Sequence, residues 1–201
     1  MTRRRKHWGW GFEDEQPSQT SLRESAAAFA AVLGFGQTEP ELPVPLERCT
    51  LPAPRLTAPA ALRECSDDSD HARARHAYGS SYRDVVRGFR GRFEHPPDVV
   101  AEPRSETELE RLLEWAIGAG AAVIPYGGGT SVVGGVEPIV DRDRFEGVVT
   151  IDLGGFDRVL EVDEVSRTAR IGVFFPKPAI RVAMRLRTCR SQIGFRREFS
   201  T

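Results

Sequence analysis

Lysine is nearly missing from this chain. Of its 28 basic residues, only Lys6 and Lys177 are lysine and the others are arginine. With so much alanine and glycine, this reads as a GC-rich coding bias rather than a functional mark. No charge of one sign prevails: 28 basic residues face 29 acidic ones, a formal net charge of −1. That balance supplies no electrostatic footprint for nucleic acid or an anionic membrane surface, so no nucleic-acid partner is expected. No apolar run approaches the ~20 residues that span a bilayer, so no transmembrane segment is expected. The basic start, residues 1–8, is not followed by the apolar stretch of a secretory signal. Cysteine is scarce. Cys49, Cys65 and Cys189 are too few and too scattered for a disulfide framework or a zinc site. A reducing, cytoplasmic setting is the expectation, with no metal.

What is present fits a folded chain of 201 residues, 40% apolar and 28% charged. The charge is uneven. Residues 173–201 carry seven basic residues and one acid, Glu198, which leaves 21 basic and 28 acidic residues, a charge of −7, in residues 1–172. The tail is not a continuation of the same surface.

Leu22, Ala26, Phe29, Ala30 and Leu33 recur at helical spacing and predict a helix over 21–33, stopped at Gly34. Six prolines between residues 36 and 60 exclude regular helix or central strand there and indicate an extended arm. A short helix is predicted over 69–76, capped by Ser69 or Asp70. The acids Asp67, Asp68 and Asp70 suit its N-terminus; they lack the glycine and glutamate of a calcium loop. Residues 97–101 read as a buried strand. Ser105 and Glu108 form a capping box for a helix reaching about Ala119, with Leu109, Leu112, Leu113, Ala116 and Ile117 on one face. A strand over 121–125 completes a βαβ unit with parallel strands. Further strands are predicted over 147–153, 158–162 and 168–173, the last two joined by a turn at Asp163 and Glu164.

The most informative stretch is Val123-Ile-Pro-Tyr-Gly-Gly-Gly-Thr-Ser-Val-Val-Gly-Gly135. Three glycines after a strand remove every Cβ where a ligand could approach the backbone. Successive N–H groups in such a turn form a nest for an anion, and Thr130 and Ser131 add hydroxyls. A pyrophosphate fits this chemistry; a tight turn without a ligand is the bland alternative. The spacing matches neither a nucleotide-binding P-loop nor the dinucleotide fingerprint.

Other residues read blandly. His7, His71, His76 and His95 lack ligand spacing and are expected to be solvated or capping. Cys49 and Cys65 have no local activating context. Trp8 and Trp10 are expected to pack. Arg83, Arg87, Arg90 and Arg92 are expected to form a solvated face.

Pro97-Asp-Val-Val, Glu102-Pro103, the capped helix and Ile124-Pro-Tyr-Gly-Gly-Gly-Thr-Ser131 together resemble the FAD-binding domain of the p-cresol methylhydroxylase/vanillyl-alcohol oxidase (PCMH-type) superfamily. Lys6-His-Trp-Gly-Trp-Gly-Phe-Glu-Asp14, His71-Ala-Arg-Ala-Arg-His-Ala-Tyr-Gly79 and Arg158-Val-Leu-Glu-Val-Asp-Glu164 resemble its alkyldihydroxyacetonephosphate synthase branch. The likeness covers residues 6–172. It implies an α+β chain: an N-terminal helical and extended arm, 1–92, then the βαβ-containing half of a PCMH-type FAD-binding domain, 93–201. It implies FAD as cofactor and partner, with the diphosphate on Pro125, Tyr126, Gly127, Gly128, Gly129, Thr130 and Ser131. The branch exchanges an acyl for an alkyl group on a dihydroxyacetone-phosphate ester. A fragment of an FAD-linked hydroxy-acid oxidase or dehydrogenase is the alternative, and an inert truncated remnant is a third. After Gly172 the pattern dissolves until Glu198-Phe-Ser-Thr201. An altered reading frame within 173–197 and early termination is the expectation, with a basic tail for an acidic partner as its rival. The family's catalytic side chains would lie further on. A homo-oligomer or a complementing C-terminal chain stays open.

Overall fold

The computed structural model describes residues 3–172, apart from residues 164 and 167. The expected tail, 173–197, lies outside them, as does Cys189. The centre is a four-stranded sheet of β1 (Ser66–Asp67), β2 (Val99–Ala101), β3 (Ala121–Tyr126) and β4 (Gly147–Asp152), in the order β1-β2-β4-β3. β4 runs parallel to both β2 and β3, and β1 is an antiparallel edge. Every residue of β2 and β4 is buried, as near-continuous apolar runs in parallel sheets require.

The βαβ unit is present with one difference. β2 and β3 are parallel but not neighbours, because β4 lies between them: Val149 is opposite both Val99 and Val123. Hydrophobic pattern gives strand direction through the crossover rule, but it carries no information on which strand fills the gap.

The crossover helix is α4 (Glu106–Gly118), named after three helices of the arm, α1 (Gln19–Leu33), α2 (Asp70–Arg75) and α3 (Tyr82–Phe89). Ser105 caps α4, its Oγ accepting from the Glu108 N–H at 3.2 Å. The expected reciprocal bond is displaced by one residue: the Glu108 carboxylate accepts from the Arg104 N–H at 2.7 Å. The buried seam of α4 also differs from the expected face. Leu112 and Ala116 are buried, with Leu109 and Trp115 beside them, against Leu62, Ala101, Val149 and Ile151. Ile117 and Leu113 face solvent. Helical spacing alone places Ile117 one row from Leu113; the sheet chose the Trp115 side.

In the arm, α1 starts at Gln19, capped by Ser18, and ends at Gly34 in the left-handed conformation, φ 73°. None of its residues is fully buried. The proline-rich stretch is extended, broken by 3₁₀ turns at Leu46–Arg48 and Ala60–Cys65. Ser69 caps α2. α3 has no sequence counterpart in the periodicity analysis; Ser81 and Asp84 give it a full capping box. A second, smaller core joins Ala74, Ala77, Tyr78 and Phe93. β5 (Val159–Asp163) and β6 (Thr168–Ile171) pair as a separate antiparallel hairpin.

The first residues of the arm fold back onto α2 and α3. The Trp8 ring meets Phe89 edge-on at 5.0 Å, whereas Trp10 is exposed. The His7 ring donates from Nε2 to the Val44 carbonyl at 3.1 Å and His71 from Nε2 to the Arg5 carbonyl at 2.9 Å. Burial pushes both imidazoles below their ordinary 6.5, so folding favours the neutral forms. A group whose folded value is depressed contributes stability above its unfolded value and loses it as pH falls towards the folded one. The arm is therefore expected to loosen as pH drops below about 6.5. Tryptophan emission should change in that window in the wild type and stay flat in a His7→Gln/His71→Gln variant. A flat wild-type profile would contradict this.

Candidate functional site

The glycine-rich loop leaves the carboxyl end of β3, on the edge of the parallel strands where ligands bind in open α/β sheets. Of the seven residues singled out in the sequence, Pro125, Gly128 and Thr130 are exposed, Gly127 and Ser131 are half-buried, and Tyr126 and Gly129 are buried. Tyr126 stands opposite Asp152 in the ladder. Its phenol lies beneath Gly129, which has φ +66°, so a Cβ at Gly129 would overlap the phenol oxygen.

The loop's carbonyls are tied back to the arm. Ser80 donates its hydroxyl to the Gly129 carbonyl and its N–H to the Ser131 carbonyl, the latter at 2.7 Å. Gly79 packs so closely on Ser131 that a Cβ there would overlap the Ser131 carbonyl oxygen. Ser131 Oγ accepts from the Gly135 N–H at 3.1 Å and closes the turn. The donors behave differently. Among the described residues, no N–H from Gly128 to Val133 finds a protein acceptor. Free consecutive donors beside bound carbonyls are groups that can hold an anion.

A cavity between the arm and this loop is lined by Arg5, Lys6, Arg75, Tyr126, Gly128 and Gly129. Three cations beside the open donors fit a diphosphate. Asp84 also lines the cavity, but its carboxylate is bound by Arg87 at 2.7 Å.

Under the loop lies a buried histidine–carboxylate pair that sequence reasoning missed. His76, expected to be solvated or capping, does cap α2 with its backbone, but its ring has no exposure. Nδ1 donates to the Ala72 carbonyl at 2.7 Å, and Nε2 lies 3.0 Å from Asp152 Oδ2. Asp152 Oδ1 accepts from the Gly154 N–H at 2.8 Å, and Arg75 stands 3.9 Å from Oδ2. Burial pushes the Asp152 carboxyl up, but the bonds from His76 and Gly154 outweigh it and hold the group below its ordinary range. The Tyr126 ring packs on His76 at 4.4 Å, and burial pushes its phenol up. Glu102 lies near enough to His76 and Asp152 for the three to surround a cation. Both Asp152 oxygens are already bonded within the protein, so the cluster is satisfied by its own hydrogen bonds. The available signal was positional: Asp152 is a lone acid closing an apolar strand, at the end where such sheets bind ligands.

The arginine face is corrected at one position. Arg83, Arg90 and Arg92 are exposed, but Arg87 is inside, its side chain 14% accessible. The thiols of Cys49 and Cys65 are pushed up by burial and then by nearby Glu47 and Glu108, the opposite of activation. No helix among the described residues is long and apolar enough to cross a membrane.

The chain is similar to known proteins. Residues 97–180 match the FAD binding domain family, a span reaching eight residues past Gly172, where the motif pattern was read as ending. Over that span the chain is similar to FAD-binding domains, and the cofactor this likeness indicates is FAD. Within that class it is alkyldihydroxyacetonephosphate synthase-like. It is 39% identical over 108 residues to the alkyldihydroxyacetonephosphate synthase of Trypanosoma brucei brucei, 53% of this chain and 18% of the relative. It is 38% identical over 112 residues to that of Dictyostelium discoideum, 55% of this chain and again 18% of the relative. A probable mitochondrial D-2-hydroxyglutarate dehydrogenase of Oryza sativa subsp. indica is 32% identical over 76 residues, 38% of this chain and 12% of the relative. A solved alkyldihydroxyacetonephosphate synthase superposes with a TM-score of 0.73 at 26% identity, covering 90% of this chain and 37% of that one. The matched region thus spans about a fifth of the curated synthases' length.

Proposed function

We propose that residues 125–131 hold the diphosphate of FAD in a flavin-dependent enzyme of the alkyldihydroxyacetonephosphate synthase kind. The observation that carries this reading is the run of N–H groups from Gly128 to Val133 without acceptors among the described residues, beside a cavity lined by Arg5, Lys6 and Arg75. When bound, FAD supplies the flavin ring on which such an enzyme's chemistry runs. The chain's own part is to bind and orient it. The loop donors take the phosphate oxygens, and Thr130, exposed at the loop, adds a hydroxyl. Tyr126, on His76 and Asp152, keeps the floor rigid and dry. The synthase reading is favoured over a hydroxy-acid dehydrogenase because the synthase matches run over 108 and 112 residues against 76.

The test is a titration of the purified chain with FAD, read by flavin fluorescence, with ADP and FMN as competitors. Binding of FAD, displacement by ADP and weak action of FMN are expected, because ADP keeps the diphosphate and FMN has one phosphate. Equal affinity for FMN, or no FAD binding by a folded chain, would contradict the assignment. Reduction of the bound flavin by a D-2-hydroxy acid would move the enzyme class to the dehydrogenases.

A further inference from the structure

Arg87 sits on α3, outside the span that matches the FAD-binding family, yet it reaches the far end of the glycine loop. Its guanidinium forms a fork on Glu137, Nη1 to Oε1 at 2.6 Å and Nη2 to Oε2 at 2.9 Å. The same Nη2 holds Asp84 Oδ1 at 2.7 Å. Asp84 in turn closes the capping box with Ser81, next to Ser80, which grips Gly129 and Ser131. The guanidinium also covers the Tyr78 ring at 4.0 Å. All three charged side chains are largely buried: Arg87 14%, Asp84 5% and Glu137 10% accessible. Glu137 is anchored to the loop by its own N–H, which donates to the Gly134 carbonyl at 3.1 Å.

A buried ion network is a poor source of net stability, because desolvation offsets the attraction. Here it also leaves Arg87 Nε buried without a partner among the described residues. What a bidentate fork does supply is geometry. We propose that Arg87 is a positioning residue for the anion site: through Glu137 at one end and the Asp84–Ser81–Ser80 chain at the other, it holds the loop from Gly128 to Val133 with its donors free. The arm segment 79–87 is then part of the cofactor site. This rests on the diphosphate reading above for its ligand, but not for the ordering of the loop.

The experiment is a double-mutant cycle with Arg87→Gln, Glu137→Gln and the pair, plus Arg87→Lys. Two quantities are read: amide hydrogen exchange of Ser80, Gly135 and Glu137, whose bonded N–H groups tie the loop down, in the free chain, and the FAD dissociation constant. Each single variant should raise exchange at these loop-tying amides and weaken FAD about tenfold, with the pair no worse than either single. Arg87→Lys should recover part of both, since it keeps the charge and loses the fork. Exchange in β4 separates this from general loosening: exchange should rise in the loop and not in β4. Unchanged loop exchange, or exchange rising equally in β4, overturns the proposal. So does faster loop exchange with wild-type FAD affinity. If the wild-type chain takes no FAD, the diphosphate reading fails alone, and loop exchange still decides the role of Arg87.

Discussion

Gly129→Ala is expected to weaken FAD binding by on the order of 10- to 100-fold, the equivalent of about 1.4–3 kcal/mol. Two costs act together. The backbone at φ +66° disfavours any residue with a Cβ, by roughly 1–2 kcal/mol. The new methyl would also overlap the Tyr126 phenol. Tyr126 cannot retreat, because its ring rests on His76, and His76 is fully enclosed. Overpacking of this kind costs about 1–3 kcal/mol. The loop must move, and the N–H array loses its shape. Removing the phenol oxygen should restore part of the affinity, so Gly129→Ala/Tyr126→Phe is expected to bind FAD better than Gly129→Ala. Isothermal titration of the three proteins checks both statements. Wild-type affinity in Gly129→Ala would show that the loop does not carry the ligand.

Asp152→Ala is expected to destabilise the fold by about 1–3 kcal/mol, the cost of leaving buried donors without their acceptor. His76 would keep the Ala72 carbonyl and lose the Asp152 carboxylate. The Gly154 N–H would lose its acceptor as well. Against a total of roughly 5–15 kcal/mol for a domain, such a loss is large. The same pair gives the chain an acid limit. The Asp152 carboxyl is depressed below 3.8 in the fold, so its contribution is full above that value and is lost as pH falls below it. Denaturant unfolding at neutral pH and near pH 3 measures both effects. The wild type should lose stability in acid, and the variant should lose much less on the same change. A shift under about 1 kcal/mol at neutral pH would mean that the pair is not a structural element.

Much of this was legible in local patterns. Ser69, Ser105 and Gly34 marked helix ends because capping depends on neighbours within four residues. The parallel strands and the crossover helix followed from apolar runs and spacing. The glycine loop reads as an anion cradle because its side chains are absent. Its motif context carried the FAD-binding likeness that the comparisons bear out. What stayed hidden was long-range. The place of β4 between β2 and β3 is a matter of packing order. His76 and Asp152 are 76 positions apart, and Arg87 and Glu137 are 50 apart. Nothing local distinguishes Arg87 from Arg83 or Arg90; only the fold turns the first inward. α3 was missed because its sequence, Tyr-Arg-Asp-Val-Val-Arg-Gly-Phe, contains β-branched residues and a glycine. Its cap and its packing against Trp8 override that propensity.

The central claim is that the backbone donors of the glycine loop hold the diphosphate. The most direct measurement is a titration of the ¹⁵N-labelled chain with FAD, following each amide by nuclear magnetic resonance. The amides of Gly127 to Val133 should shift together and saturate with the flavin signal, ADP should move the same set, and Gly128→Asp should abolish the response. Saturable FAD binding that leaves those amides unmoved would contradict the account.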